Sequence, residues 1–229
     1  MKHGKDKFHL VLLLMVLLQA SSVLAQDEKA ALDLVQVANQ NGFRLENRTV
    51  QVLTDGSRSG VRLDEKPNAN EGVAWLPNTV FSQGTIEVDM RGKDVLQRSF
   101  VGIAFHGSSE RNYDAIYFRP FNFRSADPVR RVHAVQYISL PKHDWPVLRK
   151  EFPDHYEKGI DPAPDPNDWF HARIVVANET IQVFVNGNPT PSLTVKKLSD
   201  RQEGNIGLWV GASSGGDFAN LKITPKQSR

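Results

Sequence analysis

The chain has no cysteine in 229 residues. That absence excludes disulfide staples, thiolate metal sites and a thioether-linked lipid anchor. Charge of one sign is also lacking, since 28 basic residues face 26 acidic ones. Removing Lys2, Lys5, Lys7 and Asp6, which lie in the first 25 positions, leaves 25 of each. No field is therefore expected to draw nucleic acid or an anionic membrane to the remaining chain. Neither a sequence repeat nor a long amphipathic helix is visible. None of the five histidines after residue 25 (His106, His133, His143, His155 and His171) stands in an H-x-x-x-H or other tight metal-ligand spacing.

The only long apolar run, Leu10 to Leu18, follows a lysine-rich start and precedes Ser22-Val23-Leu24-Ala25. This order reads as a secretory signal peptide cut after Ala25, and the run is too short to span a bilayer. The expected organisation is a signal over 1–25 and one domain over 26–229, exported to a periplasm or the extracellular space, without a membrane anchor after cleavage.

Beyond Gly42 the pattern is β. Gly84 to Arg91 alternates with Ile86, Val88 and Met90 inward. Three further runs lie between Arg98 and Pro141. Val101, Ile103 and Phe105, then Ile116 and Phe118, then Val135 and Tyr137 form one apolar face. The alternate positions hold small residues with His106, Tyr117, Arg119 and Gln136. Small residues beside hydrogen-bonding and aromatic ones read as a groove floor. Ordinary edge and cross-strand pairing is the alternative. On the groove reading Arg119→Ala weakens ligand binding and spares stability, and Phe118→Ala does the reverse.

Ser139 to Asp168 carries six prolines and reads as a long loop with a helical turn over Pro146–Glu151. It also holds His143, Trp145, Arg149, His155 and Tyr156. Trp145 and Tyr156 suit stacking on a sugar ring, or packing of the loop onto the domain. Arg119 and Arg124 flank Pro120-Phe121-Asn122-Phe123. Their planar guanidinium groups suit carboxylates and vicinal hydroxyls, the alternative being pairing with Asp114 or Asp127. Past Trp169 come more short strands, with Asn186-Gly187 as a hairpin turn. Many short strands with regular turns predict an all-β, two-sheet sandwich.

Trp169 to Val175, Val183 to Gly187, Gly204 to Trp209 and Phe218 to Ile223 are motifs that resemble the C-terminal part of concanavalin A-like jelly-roll domains. The sequence resembles the laminin-G-like and 3-keto-disaccharide hydrolase-like branches of that superfamily. The resemblance implies two antiparallel sheets of six or seven strands and an oligosaccharide or polysaccharide partner on the concave face of the inner one. It implies three alternatives: a carbohydrate-binding protein, a glycoside hydrolase or lyase in the same groove, or a laminin-G-like protein-interaction module.

Glycosidases of this superfamily carry an E-x-D-x-x-E strand, with carboxyl groups about 5–5.5 Å apart for nucleophilic attack. Here only Glu87-Val88-Asp89 matches, and the final acid is missing. Glu87 and His106 are the catalytic candidates. Tyr117, Arg119, Asn122, Arg124, Gln136, Trp145, His155 and Tyr156 are the substrate-binding candidates. No cofactor is expected. A structural calcium near Asp217 is a family trait put in doubt by Ala219, which stands where relatives have an acid.

Overall fold

A computed structural model describes residues 32–226, except 57 and 68. The signal-peptide segment lies outside the described residues. In chain order the elements are α1 (Leu34–Asn39), β1 (Arg44–Glu46), β2 (Arg48–Asp55), β3 (Arg58–Glu65), β4 (Gly72–Phe81), β5 (Gly84–Arg91), β6 (Val101–Ser109) and β7 (Asn112–Phe118). Then follow α2 (Pro120–Phe123), α3 (Pro128–Arg131), β8 (Val135–Ser139), α4 (Trp145–Glu151), β9 (Glu157–Lys158), β10 (Phe170–Val176), β11 (Thr180–Val185), β12 (Leu193–Lys196), β13 (Gly204–Val210) and β14 (Gly216–Pro225).

The strands form two seven-stranded antiparallel sheets. The first has the order β1-β4-β13-β6-β7-β8-β9, and the second has β12-β11-β10-β5-β14-β3-β2. The expected meander, β6-β7-β8, does occupy the middle and one flank of the first sheet. Period two turns Val101, Ile103, Phe105, Ile116, Phe118, Val135 and Tyr137 to the second sheet, and all seven are buried. Ile86, Val88 and Met90 answer from β5. Phe118 meets Phe170 of β10 edge-on at 5.0 Å, and Phe123 meets the same ring at 5.2 Å.

Local chemistry ends and turns these elements as their residues dictate. Asp144 caps α4 by accepting from the Trp145 N–H, Pro146 sits in the first turn, and Arg149 and Lys150 occupy the last. Asn186 and Gly187 both take positive φ, 50° and 73°, at the end of β11, and the Asn188 N–H closes the turn on the Val185 carbonyl at 3.0 Å.

The Ser139–Asp168 stretch holds more order than its prolines suggest. Besides α4 it contributes β9, which pairs with β8 through Gln136↔Glu157 and Val135↔Lys158. A two-residue strand has no periodicity to read, so pairing with β8 alone reveals it.

Candidate functional site

A cavity of about 550 Å³ opens on the face of the first sheet turned away from the second. One transverse row of the sheet underlies it. Trp209 pairs with Gly102, Gly102 with Tyr117, Tyr117 with Gln136, and Gln136 with Glu157. Residues in register across neighbouring strands point to the same face. The Tyr117 and Trp209 rings lie 4.8 Å apart across Gly102. A Cβ on Gly102 would come within 2.7 Å of the Tyr117 Cβ and 2.2 Å of the Ile116 carbonyl oxygen. The small residues of this face therefore make no open floor. Gly102, Ala104 and Ala115 are buried, and the Tyr117 and Trp209 rings close over Gly102.

Phe100 extends this aromatic bed, edge-on to Tyr117 at 6.2 Å and to Phe121 at 5.3 Å. One wall is α4, with Trp145 still 44% exposed and Arg149 stacked beneath its ring at 5.1 Å. Phe121, Asn122, Arg130 and His133 make another. The loops around Gln97 and Ser213 complete the rim, and both residues hold positive φ, a strained conformation that tends to gather at functional sites.

Under the groove is a fixed polar cluster. Arg119 is 6% exposed. It donates to the Tyr117 hydroxyl at 2.7 Å, to the His133 carbonyl at 3.1 Å and to Gln136 Oε1. Tyr117 also donates to Gln136 Oε1, at 3.0 Å. Burial works against the charge of Glu157, but the Arg149 fork, at 2.8 and 2.7 Å, outweighs it, and Arg119 and His133 add to the pull. The Glu157 carboxyl is thus held below the usual carboxylate range. His133 Nδ1 lies 2.9 Å from Glu157 Oε2, although without an in-line hydrogen bond. Burial pushes the His133 imidazole down, as do Arg149 and Arg119, against the opposing pull of Glu157. Burial also raises the Tyr117 hydroxyl to about 12, so it stays protonated.

The structure brings Tyr117, Arg119, Asn122 and Trp145 to the cavity, with Gln136 directly beneath, bonded to the first two. The remaining candidates lie elsewhere. His106 would share the groove face by strict alternation, but its φ of +54° makes a bulge in β6 that turns the ring inward. It sits 3.1 Å from Asp114 and 2.7 Å from the Ser82 carbonyl, fully buried. Glu87 is on the outer face of the second sheet, paired in register with Arg173 and Lys222 and 3.7 Å from His171. The whole sandwich separates it from the cavity. Arg124 is exposed and binds Asp165. His155 is exposed, 3.3 Å from the Pro153 carbonyl. Tyr156 is buried against Tyr137 and Phe152. Asp217 is engaged by Arg62 and Arg91, at 2.8 and 2.9 Å, which leaves its oxygens occupied by guanidinium groups.

Arg119 does not pair with Asp114 or Asp127, and the expectation that Arg119→Ala spares stability is corrected. Its guanidinium is an internal strut with charged and neutral acceptors. Arg119→Ala is expected to cost about 2 kcal/mol of folding stability besides any loss of ligand. An unchanged denaturation midpoint would contradict this.

The candidates drawn from the sequence did not include Trp209, Glu157, Arg149 or His133. The two walls converge only after α3 and α4 fold back over the sheet, and spacing along the chain carries no sign of that.

Comparison with known proteins bears on both fold and family. The structure is similar to a Bacillus subtilis protein of unknown function with a galectin-like fold, at a TM-score of 0.58 and 16% identity, covering 88% of this chain and 99% of that one. It is also similar to the carbohydrate-binding module CBM66 from Bacillus subtilis, at 0.53 and 13%, covering 78% and 95%. Both likenesses concern the concanavalin A-like or galectin-like fold. No curated protein sequence matches. Of the two branches that the sequence resembles, one has a family model that matches, over residues 36–224. The chain belongs to the family described as the 3-keto-alpha-glucoside-1,2-lyase-like domain.

Proposed function

We propose that this protein binds a saccharide in the groove above the Tyr117–Trp209 bed. The observation that carries the reading is the exposed face of Trp145 beside that bed, with Arg119, Asn122 and Arg149 in the same cavity. Rings cover the apolar faces of a pyranose, and the polar groups meet its hydroxyls. The name of the CBM66 relative supports a sugar ligand. Isothermal titration against a panel of neutral and oxidised glucosides tests it. Trp145→Ala should lose at least about 1 kcal/mol of affinity, the scale of an exposed aromatic anchor. The melting temperature should hardly move, because the ring is half in solvent. Unchanged affinity would remove the groove from consideration.

A second reading is turnover, with the sugar cleaved as a 3-keto-glucoside by elimination. The family description supports it, as does a histidine–carboxylate pair at the cavity wall. Product detection in the same assay separates it from binding alone. The basic, apolar and small-residue order of the first 25 positions supports action outside the cytoplasm. N-terminal sequencing of exported protein should begin near Gln26, and an intact Met1 would refute export by cleavage.

A further inference from the structure

We propose that His133, backed by Glu157, is the base that takes a proton from the saccharide in the groove. The proposal rests on the elimination reading and assigns its proton-transfer group. Among the described histidines, His133 is the one that lines the cavity. His106 is inside the sandwich, His171 faces out from the second sheet beside Asp89, and His155 turns to its own loop.

Position 133 is held from several sides. Its N–H donates to the Arg130 carbonyl at 2.9 Å. Its carbonyl accepts from Arg119 at 3.1 Å and from Asn122 at 3.0 Å. Nδ1 is buried and 2.9 Å from Glu157 Oε2. A small rotation of the ring brings an Nδ1 proton into line with that oxygen. The tautomer then leaves the Nε2 lone pair free, on a side chain that keeps 16% exposure. A carboxylate behind one ring nitrogen and a cavity before the other is the arrangement of an oriented general base.

The other titratable groups of the wall are already engaged. Glu71 is ion-paired with Arg111, which also reaches Asp144 at 3.5 Å. Asp144 in addition caps α4. Around the His133 ring stand Glu157 on β9, Arg119 just past β7 and Arg149 on α4, while Arg130 of α3 meets residue 133 through its backbone carbonyl. Arg130 lies 3.5 Å from Asp127. Burial, with the Arg149 and Arg119 guanidinium groups set against one buried carboxylate, favours a neutral imidazole and pushes its pKa down. A neutral base accepts a proton at neutral pH and returns it readily.

The step balances without an oxidant. On a glucoside that already carries a ketone at C3, the carbonyl acidifies the hydrogen on C2. Nε2 takes that proton, and the C2–H electron pair becomes the C1=C2 bond. The C1–O bond breaks with its pair going to the departing oxygen. That oxygen receives the proton from the imidazolium. The products are an unsaturated keto sugar and an alcohol, and the base is regenerated.

The test uses p-nitrophenyl 3-keto-α-glucoside with the wild type, His133→Ala, His133→Gln and Glu157→Gln. Melting temperature verifies folding, and titration with the unoxidised glucoside reports binding. The expected result is a fall in kcat of about 100-fold or more in both His133 variants, with binding kept and with partial rescue of His133→Ala by added imidazole. The wild-type rate should rise with pH through an apparent pKa below that of ordinary histidine. In Glu157→Gln this limb should move to lower pH, because the negative charge that favours the imidazolium is gone. Folded His133 variants with wild-type turnover would overturn the base assignment and leave the lyase reading intact. A limb that stays in place in Glu157→Gln would overturn the role of Glu157. Wild-type binding without release of nitrophenol would overturn the lyase reading, and the base assignment with it.

Discussion

Asp114→Ala should destabilise the protein by about 3–5 kcal/mol, the scale for removing one partner from a buried charge pair. The carboxylate is fully buried between the sheets, on the face of β7 opposite the groove. It accepts from Tyr137 at 2.8 Å, from Ser199 at 2.6 Å and from Arg201 at 3.0 Å, with His106 at 3.1 Å. Ser199 and Arg201 lie on the connection from β12 of the second sheet to β13 of the first. One side chain therefore ties the crossover between sheets to the centre of the meander. Without it the Arg201 guanidinium and the Tyr137 hydroxyl lose a buried partner at once. Urea unfolding of both proteins measures the cost, and a loss under about 1 kcal/mol would show that water replaces the carboxylate.

The same residue makes the fold acid-sensitive. Burial alone would push the Asp114 carboxyl up, but the bond to His106, the charge of Arg201 and the two hydroxyls outweigh it and bring it down to about 2. Its folded pKa is thus below its unfolded value, 3.8. The stabilisation is present above the unfolded value and is lost as pH falls through it towards about 2. A shift of this size is on the order of 2 kcal/mol. Asp114→Ala should lack that part of the acid transition.

Phe118→Ala should cost about 3–5 kcal/mol through lost burial and the cavity left against Phe170. Phe118 is fully buried, and its ring is one of two that meet Phe170 edge-on. Phe123 is held by α2 on the other side and cannot move in to fill the space without disturbing that turn. Saccharide affinity of the folded fraction should be unchanged, since Tyr117, the neighbour in sequence, points to the opposite face. A silent substitution, or one that abolishes binding while leaving stability alone, would invert the assignment of the two faces of β7.

The apolar half of this protein was legible in the chain. Val101, Ile103, Phe105, Ile116 and Phe118 have to share a face because a strand allows nothing else, and their area has to be buried. The two-sheet sandwich, the place of the meander in it and the turn at Asn186-Gly187 follow from that alternation and from turn chemistry. Tyr117 and Gln136 could be placed by the same rule. His106 could not, because a single left-handed residue inverts the alternation and no residue type in the run demands it. Arg119 was placed on the right face with the wrong energetics. Periodicity tells which way a side chain points, and only the tertiary structure tells what covers it.

The sequence by itself determined the periodicity, the face of each strand that had to be buried, and the absence of disulfide support. The tertiary structure decided the site. Glu157 and Arg149 come from two separate elements and His133 from the turn between α3 and β8, and Glu157 reaches the row of Tyr117 and Gln136 through a strand two residues long. Local preference acts over a few residues, so it can specify strands and turns. A charge cluster assembled between Arg119 and Glu157 depends on where the folded sheet places its last edge, and that is settled by packing.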